Sequence, residues 1–143
     1  MKRKPLKFII TCAGGHEELV AGEVREMGAG VIEAGRGLVS CTASLQTMYR
    51  ICLWSRFSTR LLLVLAEYPA PDTDALYAGA GTIDWSRHFG ADNTFAVQCT
   101  RHSSPISHSR FAALRVKDAV ADWFRTHYYR RPSVDTLKPD ILL

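Results

Sequence analysis

Long apolar runs are missing from this 143-residue sequence. Leu61 to Ala66 supplies only six residues where a membrane-spanning helix needs about 20, which excludes a helical span on composition. Closely spaced cysteines are missing too. Cys12, Cys41, Cys52 and Cys99 are separated by 28, 10 and 46 residues, with none of the short C-x₂-C pairs from which metal sites draw ligands. Four cysteines in a chain of this length do not make a secreted disulfide scaffold, so the expectation is reduced, buried thiols in a cytoplasmic protein. Ten glycines and six prolines show no period, which excludes collagen-like and low-complexity readings. With 47% hydrophobic and 22% charged residues and a mean hydropathy of −0.05, the chain is not intrinsically disordered. Met1-Lys2-Arg3-Lys4-Pro5 imitates a signal peptide, but the apolar stretch Phe8 to Ala13 is short and Glu17-Glu18 soon follows. It reads as a basic lead into a first strand.

What is present is an uneven charge. The net value is +4. Residues 1–66 carry nine Lys/Arg against five Asp/Glu, residues 67–100 one against five, and residues 101–131 seven against two. A basic block beside an acidic one makes a directional surface, and nucleic acid is the usual partner of such a basic face. An ordinary solvated face would carry the same charges.

Phe8 to Cys12 is β-rich and stops at Gly14-Gly15. From His16 to Met27, Leu19, Val20, Val24 and Met27 recur at helical spacing, with Glu17 and Glu18 in the first turn and Gly28 past the end. Gly37 to Cys41 reads as a strand. Ser44 caps a second helix with apolar Leu45, Met48, Tyr49, Cys52 and Leu53. Leu61 to Ala66 is a strand suited to cover on both faces. Strand, helix, strand, helix, strand over residues 1–66 predicts a small α+β unit of ferredoxin-like type.

Pro69 to Asp74 marks a break, and residues 67–143 form a second unit. Ala75 to Gly81 predicts a short helix. Thr94 to Thr100 alternates as a half-buried strand, with Phe95, Val97 and Cys99 on one side. Ser107 to His127 is the longest helix. Ala113, Val116, Ala119, Val120, Trp123 and Phe124 share one side of it, and Arg115, Asp118, Asp122 and Arg125 the opposite one. Arg131 to Asp135 reads as a loop, and Ile141-Leu142-Leu143 as the start of a strand. Stopping inside an element predicts a truncated protein.

No nucleophile elbow, P-loop or H-E-x-x-H motif occurs, and the histidines His16, His88, His102, His108 and His127 have no i, i+4 ligand-like partner. Glu17 and Glu18 point about 100° apart and suit the helix dipole better than paired acid chemistry. Gly79 and Gly81 faintly resemble a glycine-rich cofactor loop, but an acidic, proline-bearing loop precedes them and the end of a helix explains them. Trp54, Trp85 and Trp123 read as core residues. Tyr128 and Tyr129 beside Arg130-Arg131 are base-stacking candidates. The chemistry concentrates in Arg101 to Arg110, which joins a strand to the long helix. There, free backbone N–H groups, Arg101, His108, Arg110 and the serines can meet phosphates, with Lys117 seven residues beyond Arg110. A loop whose serines only cap the helix is the competing reading.

Gly15-His16-Glu17-Glu18-Leu19-Val20 after a first strand resembles the G-x-E-E-L-L opening of the N-terminal region of bacterial ribosomal RNA guanine-N2 methyltransferases. Leu53-Trp54-Ser55-Arg56-Phe57-Ser58-Thr59-Arg60 resembles their L-W-S-R-x-x-S-R block. Leu76-Tyr77, Ile83-Asp84-Trp85, Phe95-Ala96-Val97, Val116 to Val120 with Asp122, Arg131-Pro132-x-Val134-Asp135 and Pro139-Asp140-Ile141 follow in the family's order. The resemblance spans nearly the whole chain. It implies an α+β fold, a ferredoxin-like subdomain over residues 1–66 followed by an incomplete THUMP domain over residues 67–143. It implies substrate recognition for a methyltransferase of large-subunit (23S) ribosomal RNA. S-adenosylmethionine would belong to a methylase domain beyond residue 143, since the N/D-P-P-Y/F motif is absent here. On this reading ribosomal RNA is the partner, no catalytic, cofactor or metal residue lies in the chain, and the RNA-binding candidates are Arg101, His108, Arg110 and Lys117, with Arg56 and Arg60 as weaker ones. A THUMP-type module of a tRNA thiolation or tRNA methylation enzyme, and a ferredoxin-like interaction domain without an RNA role, are the alternatives.

Overall fold

The structure is a computed structural model that describes residues 5–101 and 104–143. The basic lead Met1 to Lys4, and His102 and Ser103 of the Arg101–Arg110 stretch, lie outside the described residues. The chain divides into two compact units, Met1–Leu65 and Ala66–Leu143.

In the first unit, β1 (Leu6–Cys12) turns through Gly14-Gly15 into α1 (Glu17–Glu26). Gly15 has φ +89°, a conformation that glycine adopts without steric penalty. The helix ends at Met27, and Gly28 at φ +93° brings its N–H to Arg25 O and that of Ala29 to Val24 O. β2 (Gly30–Gly35), β3 (Leu38–Ala43), α2 (Leu45–Trp54) and β4 (Ser58–Leu63) follow. Ser44 caps α2, its Oγ accepting from Thr47 N at 3.1 Å. The sheet order is β2-β3-β1-β4, with every pairing antiparallel. That is the ferredoxin-like arrangement, and the fold is α+β. The core is one apolar layer between sheet and helices: Phe8, Ile10, Val39 and Cys41 from the strands, Val20, Val24, Met48 and Ile51 from the helices.

Three expectations fail in this unit. Gly30–Gly35 is a strand that no periodicity announced. It is an edge strand without one buried residue, and its register slips between Gly30 and Glu33, where Val31 takes φ +45°. The apolar run Leu61 to Ala66 is not covered on both faces. The strand starts earlier, at Ser58, ends at Leu63, and forms the other edge of the sheet, leaving Leu62 44% and Leu63 39% exposed. Cys41 is the one buried thiol, and burial pushes its pKa up. Cys52 is exposed, against the expectation of buried cysteines.

The second unit begins with α3 (Thr73–Gly81), capped by Asp72, whose Oδ1 accepts from Ala75 N at 2.7 Å. A single 3-10 turn (Trp85–Arg87) leads to β5 (Thr94–Ala96), and α4 (Ser109–Tyr128) follows. The last elements, β6 (Ser133–Val134) and β7 (Ile141–Leu142), flank β5 in a parallel sheet of order β6-β5-β7. Asp140 fastens β7: its Oδ2 accepts from Thr94 N at 2.8 Å while its own N–H donates to Thr94 Oγ1 at 3.0 Å. The bond from Thr94 N foremost holds its carboxyl below the usual carboxylate range. Phe89 lies between Phe95 and Phe124, with ring centroids 5.8 and 5.3 Å apart, and buried Trp85 donates Nε1–H to Ala80 O.

The strand expected over Thr94–Thr100 is regular only to Ala96. A central position covers both its faces, so Ala96 is buried along with Phe95. Ser133–Val134, read as loop, contributes β6. The strip that α4 buries is Ala112, Ala119, Val120, Ala121 and Phe124. The flank holding Arg115 and Asp122, expected to face solvent, meets α3 instead.

Candidate nucleic-acid interface

α3 and α4 pack side by side and run the same way. Asp74 at the start of α3 bonds Arg115 Nη2 at 3.0 Å, and Tyr77 one turn on donates its hydroxyl to Asp122 Oδ2 at 2.8 Å. The Arg115 guanidinium carbon lies 4.5 Å from the Tyr77 ring centroid, and Arg125 bonds the second oxygen of Asp122 at 3.0 Å. The bond to Asp122 pushes the Tyr77 hydroxyl pKa up. This seam was not anticipated. Its signal was the i, i+7 spacing of Arg115 and Asp122, which places both on one flank.

Parallel packing puts two helix N-termini, with their partial positive charges, at one end of the unit. They differ in how they are closed. Asp72 caps α3. At α4, His108 takes the cap position with φ −120° and ψ 105° but makes no side-chain cap bond, and the first turn holds no acidic residue. Ala112 N–H is the first to find a helical acceptor, His108 O at 3.1 Å. The N–H groups before it have no acceptor within the helix.

The loop before α4 is braced from within. Arg101 Nη1 donates to Ile106 O at 3.3 Å, and Ser104 Oγ accepts from Ile106 N at 3.2 Å. Arg101, His108 and Arg110 are exposed around the start of α4. Arg110 makes no ion pair with any described residue. A cleft of about 250 Å³ lies beside Arg101, lined by Ser104 and Ser109 and by apolar Leu76, Ile106 and Ala112. The neighbouring carboxylates are engaged: Asp72 in the α3 cap, Asp74 with Arg115.

Lys117 stands apart. It lies two turns along α4, 31% exposed, with Nζ 2.7 Å from Asp118 Oδ1, so a neighbour partly compensates its charge. Arg56 and Arg60 belong to the first unit. Arg56 is exposed, its backbone N–H donating to Glu23 Oε1 at 3.1 Å, and Arg60 stands on β4 opposite Thr11. Arg101 in the preceding loop, His108 at the cap position and Arg110 in the first turn are the candidates nearest the start of α4 along the chain.

Other readings are corrected or sharpened. Trp54 is not core: it is 69% exposed on α2, whereas Trp85 is buried as expected. Glu17 does more than face a dipole. Its carboxylate accepts from Gly15 N at 2.8 Å and Gly37 N at 2.7 Å, joining two turns, and the bond from Gly37 foremost holds its pKa down. Gly79 lies within α3, and a Cβ there would meet the Tyr68 ring at 2.1 Å. Gly79 thus serves the close approach of α3 to Tyr68.

Residues 70–143 match the THUMP domain family, and residues 7–62 the family described as the RlmL ferredoxin-like domain. The chain is similar to the ribosomal RNA large subunit methyltransferase K/L of Syntrophotalea carbinolica, 49% identical over 97% of this chain and 20% of that protein. With the protein of the same name from Desulfotalea psychrophila the identity is 43%, over 94% and 19%. The chain spans about a fifth of the length of these curated relatives. Among solved structures, a predicted N6-adenine-specific DNA methylase from Listeria monocytogenes superposes with a TM-score of 0.81 at 24% identity, covering 89% of this chain and 33% of that one. TrmN from Thermus thermophilus gives 0.66 at 20%, over 95% and 42%. At such identities the likeness is one of fold.

Proposed function

The chain belongs to the THUMP domain family, and from that premise we propose that it is the RNA-binding, substrate-recognition module of an S-adenosylmethionine-dependent guanine-N2 methyltransferase of large-subunit ribosomal RNA. The observation that carries this reading is the start of α4: a long helix with no acidic residue in its first turn and no side-chain cap, with exposed Arg101, His108 and Arg110 close to it in the chain. Unbonded first-turn N–H groups and exposed guanidinium groups suit phosphate oxygens.

Phosphate contacts position an RNA without reading its bases, and folded RNA is gripped largely through phosphates, 2′-hydroxyls and shape. The module supplies affinity and placement. S-adenosylmethionine supplies the methyl group when bound to a methylase domain, and no residue described here takes part in that transfer. Arg101, His108 and Arg110 form the primary contact, Lys117 extends it along α4, and Arg56 and Arg60 offer a secondary one on the first unit. The setting is the cytoplasm, where ribosomal RNA is made and modified in bacteria.

The test is direct. Purified protein is titrated into fragments of large-subunit ribosomal RNA at increasing salt, with tRNA as competitor. Affinity falling linearly with salt on logarithmic axes, and ribosomal fragments outcompeting tRNA, is the expected result. Binding indifferent to salt, or none to any fragment, overturns the proposal. Preference for tRNA assigns the module to a tRNA-modifying enzyme.

A further inference from the structure

The end of α4 remote from the phosphate site carries an aromatic cluster that the proposed contact leaves unused. Tyr129 closes the helix at φ +54° and ψ +17°, its N–H donating to Arg125 O at 3.0 Å. This left-handed position favours glycine or asparagine, because a Cβ is crowded there. No packing offsets that crowding: Tyr129 is 91% exposed.

Its neighbours along the chain are aromatic and cationic. Tyr128 is 51% exposed and rests on buried Phe124 and on Trp123, at centroid distances of 5.9 and 6.1 Å. Trp123 stacks on His127 at 4.1 Å and 18°. The nearby carboxylates are occupied, Asp92 by Arg130 and Asp122 by Tyr77 and Arg125. Arg131, two residues past Tyr129, is exposed and makes no ion pair among the described residues. Exposed rings among guanidinium groups suit the π-face of an unpaired nucleobase. An apolar protein partner would want aliphatic neighbours, and Arg125, Thr126, Arg130 and Arg131 are polar or charged.

We propose that Tyr129, backed by Tyr128 and with Arg131 beside it in sequence, is a stacking platform for an unpaired base of the same RNA whose phosphates meet the start of α4. The inference rests on the RNA-binding reading above. The two subsites are separated by roughly 27 Å of helix, from Arg110 to Tyr128 at 1.5 Å per residue. The module would thus grip a stem at one end of α4 and a single-stranded nucleotide at the other.

The experiment compares two hairpin RNAs with identical stems, one blunt and one with a single-stranded overhang carrying 2-aminopurine. The full 143-residue chain should bind the overhang RNA roughly tenfold more tightly than the blunt one and quench the 2-aminopurine fluorescence. Tyr129→Phe should retain both effects. Tyr129→Gly suits the backbone angle and leaves folding intact, and it should lose both. Unchanged quenching in Tyr129→Gly overturns the proposal, as does stem binding with no preference for the overhang; either outcome leaves the phosphate contact standing. No binding of either RNA at low salt removes both readings together. Self-association that Tyr129→Gly abolishes, with overhang binding unchanged, assigns the rings to a protein contact and also overturns it.

Discussion

Replacing Arg101 and Arg110 together by alanine probes the phosphate contact through its salt dependence. Both side chains are exposed, and no carboxylate among the described residues neutralises either one. Each phosphate they neutralise contributes about 0.7 to 0.9 to the slope of log affinity against log salt, so losing two should flatten the slope by about 1.4 to 1.8. Between about 50 and 200 mM salt, the wild-type chain should therefore lose about 7- to 12-fold more affinity than the double variant. The variant binds most weakly, relative to wild type, at low salt. Lys117→Ala is the internal control. With its ammonium already against Asp118, it should change the slope by clearly less than one arginine does. Fluorescence anisotropy with a labelled ribosomal RNA hairpin gives both slopes. Arg101 also braces the loop through Ile106 O, so circular dichroism must show the helix content unchanged. A double variant with the wild-type slope, or a Lys117 effect larger than the arginine pair's, refutes the placement of the contact at the start of α4.

Gly79→Ala tests the α3 packing. The new Cβ would fall 2.1 Å from a Tyr68 ring that its hydroxyl bond to Leu76 O at 3.1 Å holds in place, so overpacking of about 1–3 kcal/mol should outweigh the helix-propensity gain of alanine. Thermal unfolding should then begin roughly 4 °C or more lower, and an unchanged or raised Tm contradicts the packing. Glu17 sets an acid limit on the first unit. Its folded pKa lies below the unfolded value of about 4.3, so its stabilising bonds are fully present above that pH and are lost as pH falls through the folded pKa. Urea midpoints of wild type and Glu17→Gln should accordingly differ at neutral pH and converge in acid; a gap that stays constant denies Glu17 that role.

The elements whose periodicity is local were legible in the residues alone: α1, α2, α3 and α4, the strand cores around Phe8–Cys12 and Leu38–Cys41, and the two-unit order of the fold. Their capping residues and glycines act within a few positions of the residues they stop, so no distant contact is needed to read them. The basic stretch from Arg101 to Arg110 was legible for the same reason, as charge beside a helix start. Which sides those elements show depended instead on contacts between residues far apart in the chain. β2 has no buried face and β6 only two residues, so their pairing comes from neighbours far along the chain. Leu62 and Leu63 look like core until the sheet order makes β4 an edge. Arg115 and Asp122 look solvated until α3 lies along them, and Lys117 looks like a free cation until its rotamer meets Asp118. The left-handed turn that exposes Tyr129 left no mark in composition, because it is a backbone angle set where the helix must stop and the chain turn back toward β6. Hydrophobic pattern specifies which residues seek burial, whereas the order of strands and helices determines how much partner surface each one finds.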